Sequence, residues 1–232
     1  MPNQKQENEG NPRLLVAGIV SVKDKQALLD FLKGIKAIDY ENKEVLLLDA
    51  SKEPESMSVF EEIKGITFEK AAEKGSQAET IAFNRNRLAE AALKKGFGYL
   101  LLADLSQQLP GNAAKQLLSN GKKLCFGLCL KPVTLKISKG AEEFYLRTMN
   151  PMAAKTQGKK LSGLQLEEIF PSRLIKTDAC FLGCVLIHKD VLKKVKFRSE
   201  REKEDFECFA EDCKKQGIEQ WIDTGVVCKM QP

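Results

Sequence analysis

Histidine and tryptophan are almost missing: His188 and Trp221 are the only ones in 232 residues. With one imidazole and no Gly-x-Ser-x-Gly, a Ser-His-Asp hydrolase is disfavoured. There is no Gly-x-x-x-x-Gly-Lys-[Ser/Thr], and no Gly-x-Gly-x-x-Gly follows the first apolar run. That speaks against a P-loop NTPase and a dinucleotide-binding oxidoreductase. No apolar run approaches the ~20 residues of a membrane span. Residues 1–12 are polar without an apolar signal-peptide region and read as a disordered tail. Basic arms and internal repeats are lacking too, and the net charge of +5 is mild, so nucleic-acid binding is not indicated.

What is present suits one α/β domain over 13–232, with 43% hydrophobic and 30% charged residues. The seven cysteines are an odd number and lie in apolar runs. They read as free core thiols of a reduced, cytoplasmic protein rather than a zinc or iron–sulfur site. The chain is organised around Tyr99–Pro110, Tyr-Leu-Leu-Leu-Ala-Asp-Leu-Ser-Gln-Gln-Leu-Pro. Its apolar half has the profile of a strand buried on both faces, and it turns polar at Asp104. Carboxyl ends of such strands are where open α/β sheets bind ligands.

Around it, Leu14–Val20, Val45–Leu48, Ile66–Phe68, Lys123–Leu130, Ala179–Ile187 (interrupted by Gly183) and Gln220–Val227 read as strands. Lys25–Lys36, Met57–Ile63, Ala78–Lys95, Asp190–Val195 and Glu204–Gln216 read as helices, and another helix is expected between Pro110 and Gly121. Strands alternating with helices predict a mostly parallel central sheet covered by helices. From Lys131 to Ser172 the pattern breaks, and this reads as an insertion or an active-site flap with short helices. Asp49 and Asp104, each ending a strand, are placed to share a cleft. Taken singly, each also has a bland role as a turn former, as Glu204-Asp205 has at a helix N-terminus. Trp221 reads as packing and His188 as a surface or capping residue.

In order, these pieces resemble the glycosyltransferase family 2 proteins of the GT-A fold. The resemblance is carried by Val-Leu-Leu-Leu-Asp-Ala-Ser (45–51), Phe-Asn-Arg-Asn-Arg-Leu-Ala-Glu-Ala-Ala (83–92), Tyr99–Pro110, Phe181–Phe197, Glu204-Asp205-Phe206 and Trp-Ile-Asp-Thr-Gly-Val-Val (221–227). It implies a nucleotide-sugar-binding half at 13–130 and an acceptor-side half at 131–232. It also implies an inverting glycosyltransferase that moves a sugar from a nucleotide-diphospho-sugar to a glycan, lipid or protein acceptor. Asp205 would be the base, with Glu204 beside it. Ser21, Asp49, Ser51, Arg85, Asn86, Asp104 and Lys229 would bind the donor. A divalent cation, Mn2+ or Mg2+, would sit at the Asp-x-Asp position.

That position reads Asp104-Leu105-Ser106 here, a hydroxyl in place of the second carboxylate. Where many relatives carry a histidine after the closing strand, this chain has Val227-Cys228-Lys229-Met230, and Lys229 would place positive charge on the diphosphate without a metal. A catalytically inactive GT-A-like binding or scaffold protein is the alternative. A nucleotidyltransferase is disfavoured because no Gly-rich, Arg-containing loop follows the first strand. The lysines in 155–160 offer a peripheral contact to an anionic membrane surface.

Overall fold

The computed structural model describes residues 11–21, 25–52, 63–139, 142–157, 160–201 and 203–230. The helix expected over Met57–Ile63 lies almost wholly outside them.

Short apolar runs form the centre of the sheet because each is paired on both sides. Strand β1 (Leu14–Val20) lies between β2 (Lys43–Asp49) and β4 (Tyr99–Ala103), parallel to both. Strand β3 (Thr67–Lys70) extends this parallel set on the outer side of β2. Beyond β4 come β12 (Cys184–His188), β6 (Leu124–Lys139), β13 (Gln220–Met230) and β10 (Leu174–Thr177), giving the order β3-β2-β1-β4-β12-β6-β13-β10. Within this order of eight, β12 and β10 run against the other six.

Alternation along the strands feeds two hydrophobic clusters. Leu15, Ala17, Leu46 and Leu48 pack with Leu88 and Ala92 of α2 (Gln77–Lys94), Val191 of α5 (Lys189–Lys194) and Phe209 of α6 (Asp205–Lys215). Leu14, Val16, Val45 and Leu47 pack with Leu28, Phe31 and Ile35 of α1 (Lys25–Lys36) and with Ala114 and Leu117 of α3 (Ala113–Ser119). Helix α2 begins at a capping box that the apolar pattern alone does not reveal: Ser76 Oγ accepts from Glu79 N while Glu79 Oε2 accepts from Ser76 N. It stops at Gly96, whose φ of +73° is the left-handed turn that suits glycine.

The segment 131–172 differs from its expectation. Its described residues hold strands, with a single one-turn helix, α4 (Leu166–Ile169). Strand β6 runs on past Leu130 and pairs antiparallel with β7 (Glu142–Pro151). Strands β8 (Ala153–Gln157), β9 (Lys160–Gly163) and β11 (Ala179–Cys180) make a small separate sheet. Pro151 and Gly163 stand at the ends of β7 and β9, and Pro132 lies within β6 opposite Met149. The run Ala179–Ile187 is likewise split by Gly183 between two sheets, which parts Cys180 from Cys184. All seven thiols are free and buried. His188 caps α5, its Nδ1 accepting from Asp190 N at 3.2 Å. No described helix is long and apolar enough to cross a membrane.

Candidate functional site

The parallel set brings the carboxyl ends of β2, β1 and β4 to one rim, where Asp49, Ser21 and Asp104 follow one another across the sheet. Two strand spacings put the first and last about 10 Å apart. Close approach of β1 to β4 depends on Gly18, where a Cβ would stand 2.4 Å from the Ala103 carbonyl oxygen.

After β4 the chain turns on the side chain of Asp104. Its Oδ1 accepts from the Ser106 amide at 2.9 Å and from the Ser106 hydroxyl at 2.7 Å, and the Gln107 amide closes the turn on the Asp104 carbonyl. This is an Asx turn, the local bonding that short polar side chains favour. It leads into β5 (Gln107–Gln108), which pairs with the end of β13 so that Lys229 lies opposite Gln108. Lys229 is exposed there.

Helix α2 supplies the cation. Successive helical residues fan out by about 100°, and Asn84, Arg85 and Asn86 take three directions. Asn84 is fully buried and holds the loop after β3 through Ala72, accepting from its amide and donating to its carbonyl. Asn86 holds Phe197, donating to its carbonyl at 2.7 Å and accepting from its amide at 2.9 Å. Between them Arg85, with a side chain only 8% exposed, reaches Asp104 Oδ2 at 3.7 Å with Nη2 and Asp205 Oδ2 with Nη1. Burial pushes the Arg85 guanidinium down from its usual range, and the Asp104 charge opposes that shift. Asp205 opens α6, where the helix dipole favours a carboxylate.

Asp104, Ser106, Arg85 and Asp205 are thus together. Asp49 shares the rim but is fully buried, paired with Lys70 Nζ at 3.0 Å and bonded to the Ser51 amide at 2.8 Å. The hydroxyl of Ser21 is buried with no hydrogen-bond partner among the described residues. Two further residues of the expected site have partners of their own. Both ends of the Asn86 amide are held by Phe197, so it braces the chain leading to α6 instead of opening to a ligand. Glu204 stands exposed as the residue before α6, next to Asp205, with its amide bonded to Glu207.

Sequence reading missed Asn84, Lys70 and Gln107. Gln107 is fully buried beneath the turn, and its Oε1 has no partner among the described residues. Its position directly after Asp-x-Ser was the available signal. Lys70 lies 21 residues from Asp49, and only the β2–β3 register reveals that pair.

The residues do not fit a divalent cation at Asp104 and Ser106. A hard dication needs several free oxygens. Asp104 Oδ1 already accepts two bonds, the Ser106 hydroxyl donates to it, and Oδ2 faces a guanidinium. Among the described residues no group of three or more histidine, cysteine or acidic side chains is arranged for a metal.

No protein-family model and no curated protein matches the sequence. Solved structures do resemble the fold. The crystal structure of GalNAc-T7 with UDP, GalNAc and Mn2+ superposes with a TM-score of 0.62 at 10% identity over 99% of this chain. The match covers 47% of that structure, so this chain spans about half its length. The crystal structure of A197 from STIV superposes with a TM-score of 0.52 at 12% identity, covering 95% of this chain and 86% of that one. At these identities the likeness shows the fold: mixed α/β with a central sheet, similar to a GT-A glycosyltransferase.

Proposed function

We propose that the protein transfers a sugar from a nucleotide-diphospho-sugar to an acceptor hydroxyl by inverting displacement. The observation that carries this is the convergence of Asp104 and Asp205, 101 positions apart in the chain, on one guanidinium at the carboxyl rim of the sheet. GalNAc-T7 was crystallised with UDP and GalNAc, and its fold supports reading the rim as a nucleotide-sugar site.

In this reading the donor lies along the ends of β2, β1 and β4. Asp49, buried and held by Lys70, fixes through the Ser51 amide the loop beside which the base or ribose lies. The Ser21 hydroxyl, without a partner among the described residues, is a donor that a ligand oxygen would meet. Lys229 stands near the diphosphate. Arg85 takes Oδ2 of Asp205 and so orients Oδ1, which removes the proton of the acceptor hydroxyl. The hydroxyl oxygen bonds to the anomeric carbon from the face opposite the leaving group. The bond from that carbon to the diphosphate oxygen breaks, and its electron pair leaves with the nucleoside diphosphate.

A second reading, a GT-A-like nucleotide-binding protein without turnover, is favoured by the closed Asp104–Ser106 turn. A thermal-shift panel of UDP-, GDP- and dTDP-sugars decides between them, because a ligand that binds only the folded state raises its melting temperature. Transfer requires a rise with one donor class and slow hydrolysis of that donor. A rise without hydrolysis supports the binding protein, and no rise with any nucleotide overturns both.

A further inference from the structure

We infer that the guanidinium of Arg85, lying between Asp104 and Asp205, is the resident cation of the rim and holds the place a divalent metal would take, so that donor binding here is metal-independent. What that cation serves rests on the sugar-transfer reading, but its occupancy of the place does not.

Three observations converge. The first is how the carboxylates are used. Asp104 gives Oδ1 to its own turn and Oδ2 to Arg85, and Asp205 gives Oδ2 to Arg85. A metal binding either carboxylate at these oxygens must displace the guanidinium or break the turn.

The second is charge. Arginine stays protonated in proteins and cannot yield its place by losing a proton. An Asp-x-Asp pair with a dication sums to zero, and so do Asp104 and Arg85, with Asp205 the one uncompensated negative charge of the cluster. Ser106 in place of a second acid is what one positive charge in place of two calls for. A dication beside a buried guanidinium would meet a like charge where water screens poorly.

The third is rigidity. The side chain is 8% exposed, and its neighbours Asn84 and Asn86 tie α2 to two loops, so the helix cannot roll to withdraw it. Arg85 is then a positioning residue that sets the charge of the rim and the aim of Asp205. Exposed Lys229, across β5 from the turn, is the cation that meets the departing diphosphate.

The test is a Mn2+ titration, followed by paramagnetic resonance and calorimetry, of the full chain and of Arg85→Met, which removes the charge and keeps an unbranched apolar stem. The native chain is expected to take up no Mn2+ at micromolar levels. Arg85→Met frees carboxylate oxygens and is expected to bind Mn2+ at least tenfold more tightly than the native chain. Ser106→Asp in the Arg85→Met background is expected to tighten it further. In the same instrument, UDP is expected to bind the native chain equally within about twofold in EDTA and in Mn2+, and Lys229→Ala about tenfold more weakly.

Native Mn2+ binding as tight as that of Arg85→Met overturns the inference, as does UDP binding that EDTA weakens tenfold and Mn2+ restores. If Arg85→Met does not fold, Arg85→Gln carries the comparison, with circular dichroism as the control. If the native chain binds no nucleotide in any condition, the sugar-transfer reading fails, and the Mn2+ titrations still decide what occupies the place between the carboxylates.

Discussion

The rim around Asp104 and the hairpin of β6 and β7 are built from similar strands and end up in opposite surroundings. At the rim, β1, β2 and β4 are paired on both sides and covered by helices, so their side chains are almost all buried. Polar groups delivered there lose water and must find partners: Asp49 has Lys70, Asp104 has Ser106 and Arg85, and Asp205 has Arg85. In the hairpin the register sets Val133 opposite Thr148 and Leu135 opposite Leu146, which groups apolar residues much as the core strands do. Yet Leu135 is 48% and Leu146 is 51% exposed. Alternation therefore makes a face, and only a second layer buries it. A site that needs fixed charges belongs where that layer exists.

If desolvated pairing makes the rim work, the largest effect comes from its base. Asp205→Asn keeps the shape and removes the proton acceptor. Turnover of whichever donor raises the melting temperature is expected to fall about 1,000-fold, or about 4 kcal/mol of barrier, while the donor-induced thermal shift persists. Turnover within tenfold of the native rate removes Asp205 from the chemistry. Next is the close approach that sets the rim. Gly18→Ala drives a methyl into the Ala103 carbonyl, which as backbone cannot swing aside. A loss of about 3 kcal/mol in urea unfolding is expected, together with weakened donor binding because Asp104 follows Ala103. An unchanged midpoint would mean that β1 and β4 have slack there.

Much of the fold was legible and rather less of the site. Buried parallel strands announce themselves by continuous apolar runs, as at Leu14–Val20 and Tyr99–Ala103, and amphipathic helices by their period, as at Lys25–Lys36. The hairpin was misread because six prolines and glycines across 131–172 outweighed the two-residue alternation Val133, Leu135, Ile137. Of the site, Asp104 and Asp205 were legible because a strand end and a helix start are positions with a known direction. Arg85 was legible only through family resemblance, because its partners lie 19 and 120 positions away and nothing local selects it over Arg87, which points instead to Glu69 and the Lys70 carbonyl. The bond from Asn86 was illegible for the same reason: its partner Phe197 lies 111 positions away.

A smaller effect is expected where charges are paired but wetter. Arg198 grips Asp212 of α6 with Nε at 2.6 Å and Nη2 at 3.1 Å, and this bond holds the Asp212 carboxyl below its usual range. The Asp212 side chain is 23% exposed, so the pair is partly screened and contributes about 1 kcal/mol. Because the folded pKa is depressed, this stability is present above the unfolded aspartate value near 3.9 and is lost as pH falls through the lower folded value. Asp212→Asn is expected to melt earlier than the native chain at pH 7, with the gap closing below about pH 4. A gap that stays constant down to pH 2 would mean that the pair is not its origin.

The smallest effect is expected from the hairpin, and it is the sharper check on the contrast because β6 crosses both surroundings. Phe126 of β6 is fully buried and Leu135, nine residues on in the same strand, stands half in water. Leu135→Ser removes an apolar side chain that few neighbours cover, so little transfer energy is lost and no cavity forms. The urea midpoint is expected to move by less than about 0.5 kcal/mol equivalent, against about 4 kcal/mol for Phe126→Ala. A loss at Leu135 approaching that at Phe126 would mean that the hairpin face is covered in solution, and the two regions would then differ in what covers them rather than in whether anything does.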